Sequence, residues 1–444
     1  MALLTRDPVR ALEAPIVHRL ANGATIVAQQ MPVEAVNLSV WFRVGSRMEA
    51  DAINGMAHFL EHMVFKGTEQ LALGEFERRI EERGAVTNAA TSQDYTHFYI
   101  TTAPQDFATL APLQMEVVLH PRIPDRDFES ERLVVLEEIR RAEDNPRRRT
   151  YYRAMETTFD YLPYRRPVLG PATVIESLVP QQMRDFHQYW YQPDRLTAVV
   201  VGNLPVDEMI ATVTQALDAT APHTKPDGAD PRPIADTSLG LPLGDPEPVF
   251  TEVVRREWID DRLEQARLVM TWRVPGLVDL SQTYALDVLA AILGHGRTSR
   301  LVKDLREERR WVSSIAVSNL SHWLQGVFYI SVHLPSENLV QVEAAIVDHI
   351  RALQETPIQA TEINRVKTQV ANRFVFGNET PRDRANLYGY YQTLLQDLAP
   401  ALAYPEHIRQ LTAADLQQAA QRYLSPTAYG VVVMQPSVEV KAIP

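Results

Sequence analysis

Hydrophobic and polar positions along this chain follow two rhythms. Runs of period two, at positions 36–45 (VNLSVWFRVG) and 266–276 (ARLVMTWRVPG), read as strands. Apolar residues recurring every three to four positions predict helices over 74–83, 103–120, 129–142, 279–293 and 339–356. In the third of these helices, Leu133, Leu136 and Ile139 are expected to face the core. Strands interleaved with helices of this length indicate an α+β architecture of sheets covered by helices.

The same pattern divides the chain. Between 221 and 248 (APHTKPDGADPRPIADTSLGLPLGDPEP) Pro, Gly and Asp crowd together and the apolar period disappears, so this stretch reads as a linker. The expected organisation is one domain over 1–222, a linker over 223–249 and a second domain over 250–444. The halves repeat each other: Phe42-Arg43-Val44 matches Trp272-Arg273-Val274, and 186–201 (FHQYWYQPDRLTAVVV) matches 419–433 (AAQRYLSPTAYGVVV), with Pro193 opposite Pro426. A length of 444 residues also exceeds what one hydrophobic core usually serves.

Composition narrows the class. With 45% hydrophobic and 23% charged residues, the chain reads as a globular protein, and apolar runs such as 196–201 read as core strands rather than membrane spans. The first eight residues show no charged leader followed by an apolar run, so the expectation is a soluble protein, cytoplasmic as numbered, or periplasmic if a leader had been removed. A net charge of −12 argues against nucleic-acid binding, although total charge does not say where the charges sit. There is no cysteine, so any metal must be held by histidine and carboxylate.

The chemistry concentrates in one pentapeptide, His58-Phe59-Leu60-Glu61-His62. A four-residue step on a helix returns to within about 40° of the same direction, so His58 and His62 can grip one ion with Glu61 beside them. Asn54 is placed to cap this helix, Gly67 to end it in a left-handed conformation, and Phe59, Leu60 and Met63 to pack against the core. A third ligand candidate, Glu138, follows His62 by 76 positions in an acidic helical run.

His-x-x-Glu-His, Glu138 at this spacing, Glu131 seven residues earlier, and the segments 55–68 (GMAHFLEHMVFKGT), 84–96 (GAVTNAATSQDYT) and 164–170 (YRRPVLG) together resemble the inverzincin metallopeptidases, the family of pitrilysin, insulin-degrading enzyme and mitochondrial processing peptidase. The resemblance spans nearly the whole chain. It implies two similar α+β modules enclosing a cleft, and one Zn2+ per chain held by His58, His62 and Glu138 with water in the open position. Glu61 would act as general base and acid, and Glu131 would support catalysis by contacting a ligand histidine. By the residues alone, Glu131 reads equally as a solvated carboxylate paired with Arg132 or Arg140, and Glu137 as exposed.

The resemblance further implies that Asn88, Ala89, Ala90 and Thr91 form an edge strand accepting an extended peptide, a stretch that otherwise reads as a polar turn entering a strand. The second half has no metal motif at 285–296 (ALDVLAAILGHG), so its expected role is support. Relatives commonly carry there an Arg followed seven positions later by a Tyr; here Arg306 stands at the first position and Ser313 at the second. The expected function is therefore a zinc metalloendopeptidase acting on unfolded or extended peptides. Its expected partner is a homologous metal-free subunit supplying the Arg/Tyr pair, with a homodimer as the alternative assembly and neither nucleic acid nor membrane involved. A noncatalytic structural or peptide-binding member of the family is the competing reading.

Overall fold

The two strands with the matching Phe/Trp-Arg-Val words take the same central place in two separate sheets. In the computed structural model, which describes residues 14–219 and 244–437, the first half contributes β1 (Ile16–Arg19), β2 (Thr25–Gln30), β3 (Val36–Phe42), β4 (Val86–Thr91), β5 (Thr96–Thr102) and β6 (Leu196–Gly202). The second contributes β7 (Val254–Ile259), β8 (Ala266–Pro275), β9 (Ser314–Leu320), β10 (Gln325–Leu334) and β11 (Gly430–Gln435). The strand orders are β1-β2-β6-β3-β5-β4 and β7-β11-β8-β10-β9. Without β1, the first order maps onto the second strand by strand. Even the single parallel pairing recurs, β2 with β6 and β7 with β11. The sequence repeat is thus a repeat of topology.

Helices of the first half are α1 (Met56–Val64), α2 (Glu75–Glu81), α3 (Phe107–Leu119), α4 (Asp125–Asp144), α5 (Pro146–Thr158), α6 (Ala172–Ser177), α7 (Pro180–Trp190) and α8 (Val206–Ala219). Those of the second are α9 (Thr283–Gly294), α10 (Leu339–Glu355), α11 (Ala360–Phe376), α12 (Pro381–Leu395), α13 (Ala399–Gln410) and α14 (Ala413–Tyr423). The five helices expected from periodicity are all present, shifted by a few residues at their ends.

One orientation differs. Leu133 is 67% exposed, because the buried stripe of α4 runs through Phe128, Val135, Ile139 and Ala142. Two residues from Val135 is a rotation of about 200°, which puts Leu133 on the solvent side. Leu136 packs only partly against the core, whereas Ile139 is buried as expected.

Every residue of β3 is buried, since both faces of its sheet are covered. One face packs on helices of its own half. The other receives α12 from the second half, with Trp41, Val199 and Val201 meeting Ala385, Tyr388 and Tyr391. Gly389 lets that helix rest on Trp41, where a Cβ would collide with the indole. The exchange is reciprocal: α5 of the first half lies on β8 and β11, with Ala154 against Val269 and Val432. Each half therefore completes the other's core.

A buried polar junction also joins them. Asp94 accepts from Arg47 Nε at 2.6 Å, from the Tyr164 hydroxyl at 3.0 Å and from the Trp323 backbone N–H at 2.9 Å. The Arg43 and Arg47 guanidiniums lie 4.3 and 4.9 Å from the Trp323 ring centre, within cation–π range.

Most of the expected linker, residues 220–243, lies outside the described residues, as does the N-terminal stretch read for a leader. Its far end is packed, not free: buried Glu247 accepts from the backbone N–H groups of Asp160, Tyr161 and Leu162. The segment Leu277–Gly294 is long and apolar enough to cross a membrane, contrary to the expectation that no such stretch exists. Here it contains α9, whose Leu286, Val288, Leu289, Ile292 and Leu293 are buried in the second core.

Buried Asp287 on α9 accepts from Asn319 Nδ2 and the Tyr404 hydroxyl, both at 2.9 Å, yet burial pushes its pKa up to about 6. The folded state thus prefers the protonated acid, and this stability is lost as pH rises through about 6. Asp287→Asn should accordingly stabilise the protein, and the gain should grow by about 1 kcal/mol between pH 5 and pH 8. Urea midpoints at the two pH values check this; a gain independent of pH would count against it.

Candidate metal centre and active site

The local fold of α1 sets up the site. Its N-terminus is capped by Glu49, which accepts from the backbone N–H groups of Gly55 at 2.8 Å and Ala57 at 2.7 Å. The expected cap, Asn54, instead donates to Glu49 at 2.9 Å and to the Pro167 carbonyl at 3.2 Å. A longer, charged side chain reaching back from the preceding turn outcompetes the adjacent amide, because a carboxylate also complements the positive end of the helix. Gly55 has φ +100°, and a Cβ there would meet the Leu169 carbonyl at 2.6 Å, so only glycine fits this entry. At the other end Gly67 has φ +92°, but it does not end the helix as expected: α1 stops at Val64 with Phe65 as its C-cap, and the glycine lies in the turn beyond. Phe59, Leu60 and Met63 are fully buried and anchor the helix.

With α1 fixed, His58 and His62 face Glu138 on α4. Glu138 Oε2 lies 3.4 Å from His58 Nε2 and 3.6 Å from His62 Nε2, and one ligand atom from each residue falls within 4.8 Å of the others. Four ligands at zinc–nitrogen and zinc–oxygen distances of about 2.1 Å around a tetrahedron stand about 3.4 Å apart. The donor set and its spacing therefore fit zinc with one position left open.

The outer contacts orient this set. His62 Nδ1 meets Glu131 Oε1 at 2.9 Å, which turns its Nε2 towards Glu138 and the shared site. Glu131 is held by Lys66 Nζ at 2.6 Å, not by Arg132 or Arg140. Arg132 instead donates to Glu129 and to the carbonyls of Ile175, Glu176 and Leu178. Glu137 pairs with Arg140 and Arg141.

The electrostatics follow from burial and from the close approach of imidazole and carboxylate. Burial, with help from His62, pushes the pKa of His58 down to about 4, so its imidazole is neutral. Burial opposes a charge on His62 as well, but its bonds to Glu138 and Glu131 win and raise it. Glu138 is held low by His62.

Glu61, close enough to feel the charges of His62 and Glu138, is held at β4, where the Thr91 hydroxyl donates to its Oε2 at 2.5 Å. Burial raises the Glu61 pKa despite that bond, favouring a group that can take up a proton. β4 is the terminal strand of its sheet, paired only with β5. Asn88, Ala89, Ala90 and Thr91 thus lie on an edge whose outer backbone groups are unpaired within the sheet, and Thr91 ends that edge beside Glu61.

Arg306 does not join this constellation. It sits in the π-helix Val302–Glu308 of the second half and donates to Glu307. The single Ser313 hydroxyl hydrogen has two acceptors within reach, Gln265 Oε1 at 2.7 Å and the His333 carbonyl at 3.0 Å. Sequence reasoning missed Glu49 and Lys66. Lys66 stands one turn after His62, and that spacing was the available signal; Glu49 left none.

Comparison with known proteins shows the family of this chain. The family model described as Insulinase (Peptidase family M16) matches residues 25–172, and that described as Peptidase M16 inactive domain matches 177–370. The chain belongs to the M16 peptidase family. Among its M16 relatives, the zinc protease PqqE of Helicobacter pylori is 26% identical, covering 94% of this chain and 92% of the relative. The uncharacterized zinc protease YmxG of Bacillus subtilis is 27% identical over 94% of this chain and 97% of its own length. A crystal structure of a protease from Helicobacter pylori superimposes with a TM-score of 0.86 at 25% identity, covering 95% of this chain and 99% of that one. One described as a peptidase M16 inactive domain from Pseudomonas fluorescens shares the fold, with a TM-score of 0.82 at 18% identity over 96% and 98% of the two chains. His58, Glu61, His62 and Glu138 fall within the first M16 match. The second match begins before β6, which nevertheless hydrogen-bonds between β2 and β3 of the first sheet.

Proposed function

We propose that this M16 chain is a zinc metalloendopeptidase that cleaves unfolded or extended peptides. The observation that carries the reading is the convergence of His58, His62 and Glu138 at zinc-ligand spacing with Glu61 beside them at the end of a free strand edge. His58, His62 and Glu138 would hold the zinc ion, which when bound would supply a water nucleophilic at neutral pH and polarisation of the scissile carbonyl. Asn88, Ala89, Ala90 and Thr91 align the peptide by strand addition to β4. Glu61, positioned by Thr91, takes the proton of the attacking water and returns it to the leaving amine. Catalysis belongs to the half within 1–222 and support to the half within 250–444, joined through 223–249.

Glu131 acts through His62, as the hydrogen bond between them suggests. Replacing Glu131 by Gln should weaken zinc binding about 10- to 100-fold, read by competition with a chelator. Unchanged affinity would reduce Glu131 to a neighbour of Lys66.

Ser313 is too short to reach a substrate as a phenol does, so we further propose that a homologous metal-free subunit supplies the Arg/Tyr pair and that Arg306 contacts substrate only within that assembly. Cleavage of an internally quenched, unstructured peptide tests both statements. The zinc-loaded chain should be silent alone and active once its partner is added. Full activity as a monomer on size exclusion would remove the partner and leave the peptidase; silence in every combination would favour a noncatalytic, peptide-binding role.

A further inference from the structure

A cavity of about 640 Å³ opens between the halves, where α5 faces β8, β9 and β10. Arg147, Arg148, Arg267 and His333 stand on its wall, in a chain whose net charge is −12. None of the three arginines forms an ion pair with a carboxylate among the described residues. Arg267 Nη1 instead meets His333 Nε2 at 2.7 Å. Asp260, whose charge reaches Arg267, is already held by Arg149 and Arg262. Arg267 has its pKa lowered by burial and by the charges of Arg149 and Arg147, as expected of a cation crowded by others.

The cavity continues the proposed peptide track. Gln93, which lines it, lies two residues beyond Thr91, the contact of Glu61. Arg148 is near enough for its charge to act on both His58 and Glu138. Tyr151, Val269, Leu320 and Tyr329 add apolar and aromatic wall, suited to the stems of amino-acid side chains. Unneutralised guanidiniums in a partly desolvated wall favour carboxylates, which they bind with charge-assisted hydrogen bonds.

We infer that this cavity is a specificity pocket for acidic peptide segments, taking Asp or Glu side chains of a chain bound along β4 beside the metal site. The inference rests on the peptidase reading for its substrate class, and its sign opposes the net charge of the molecule.

The test measures binding of two fluorescent, unstructured peptides, identical except that Asp and Glu in one are Asn and Gln in the other. The zinc-loaded Glu61→Gln chain keeps the peptides intact during the measurement. The acidic peptide should bind roughly tenfold more tightly. Arg267→Gln and, separately, the exposed Arg147→Gln should each erode that preference while leaving the neutral peptide's affinity unchanged; Arg147 is an exposed position in the first turn of α5, outside the buried strand that carries Arg267. Equal affinities, no binding of either peptide, or a preference surviving both substitutions would overturn the inference. Cleavage of both peptides by the Glu61 chain, with its partner present, separates the two readings. Cleavage without acidic preference sinks the pocket alone. Acidic preference without any cleavage keeps the pocket and sinks the peptidase.

Discussion

Replacing Glu61 by Gln should lower peptide hydrolysis by roughly 10²- to 10⁴-fold, the range of a lost general acid–base group. The amide has the shape of the carboxylate and can still accept from Thr91 Oγ1, so fold and site geometry should survive. It cannot take up a proton. His58, His62 and Glu138 are untouched, and one zinc per chain should remain by elemental analysis. The informative result is therefore loss of turnover at unchanged metal content and unchanged urea midpoint, with an internally quenched peptide as substrate and the complete active assembly as enzyme. If turnover persists within threefold, Glu61 is not the proton carrier and the proposed mechanism fails, whatever the metal does.

Asp94→Ala should have the largest effect on stability. Arg47 has a side chain only 3% exposed, and Asp94 is its single carboxylate partner among the described residues. Removing one member of a buried ion pair costs about 3–5 kcal/mol, because the remaining charge is left in a medium that cannot solvate it. The cost here also falls on the Tyr164 hydroxyl and the Trp323 backbone N–H, which lose the same acceptor. Since Trp323 belongs to the second half and Arg47 to the first, the substitution should loosen the coupling between them. Urea unfolding followed by tryptophan fluorescence should shift to lower denaturant and separate into two steps. A loss below about 1 kcal/mol would mean that the helix exchange alone holds the halves together.

Much of the site was legible because its information is local. His58, Glu61 and His62 share one helix, so their relation follows from 3.6 residues per turn. Glu138 needed a spacing recognised from relatives, since nothing local ties α4 to α1. The repeat was visible too, as each half needs its own central strand and parallel pair.

What the sequence by itself determined is thus the metal motif, the helices and the duplicated order of elements: each follows from periodicity over a few turns. Only the tertiary structure decided that Glu49 rather than Asn54 caps α1, that Lys66 holds Glu131, that Leu133 faces solvent, that α5 and α12 cross to the opposite sheets, and that three arginines of an acidic protein gather on one cavity wall. Each is a competition among partners brought together by the packing of different elements. Local periodicity fixes which face a helix offers, but not which neighbour arrives to meet it.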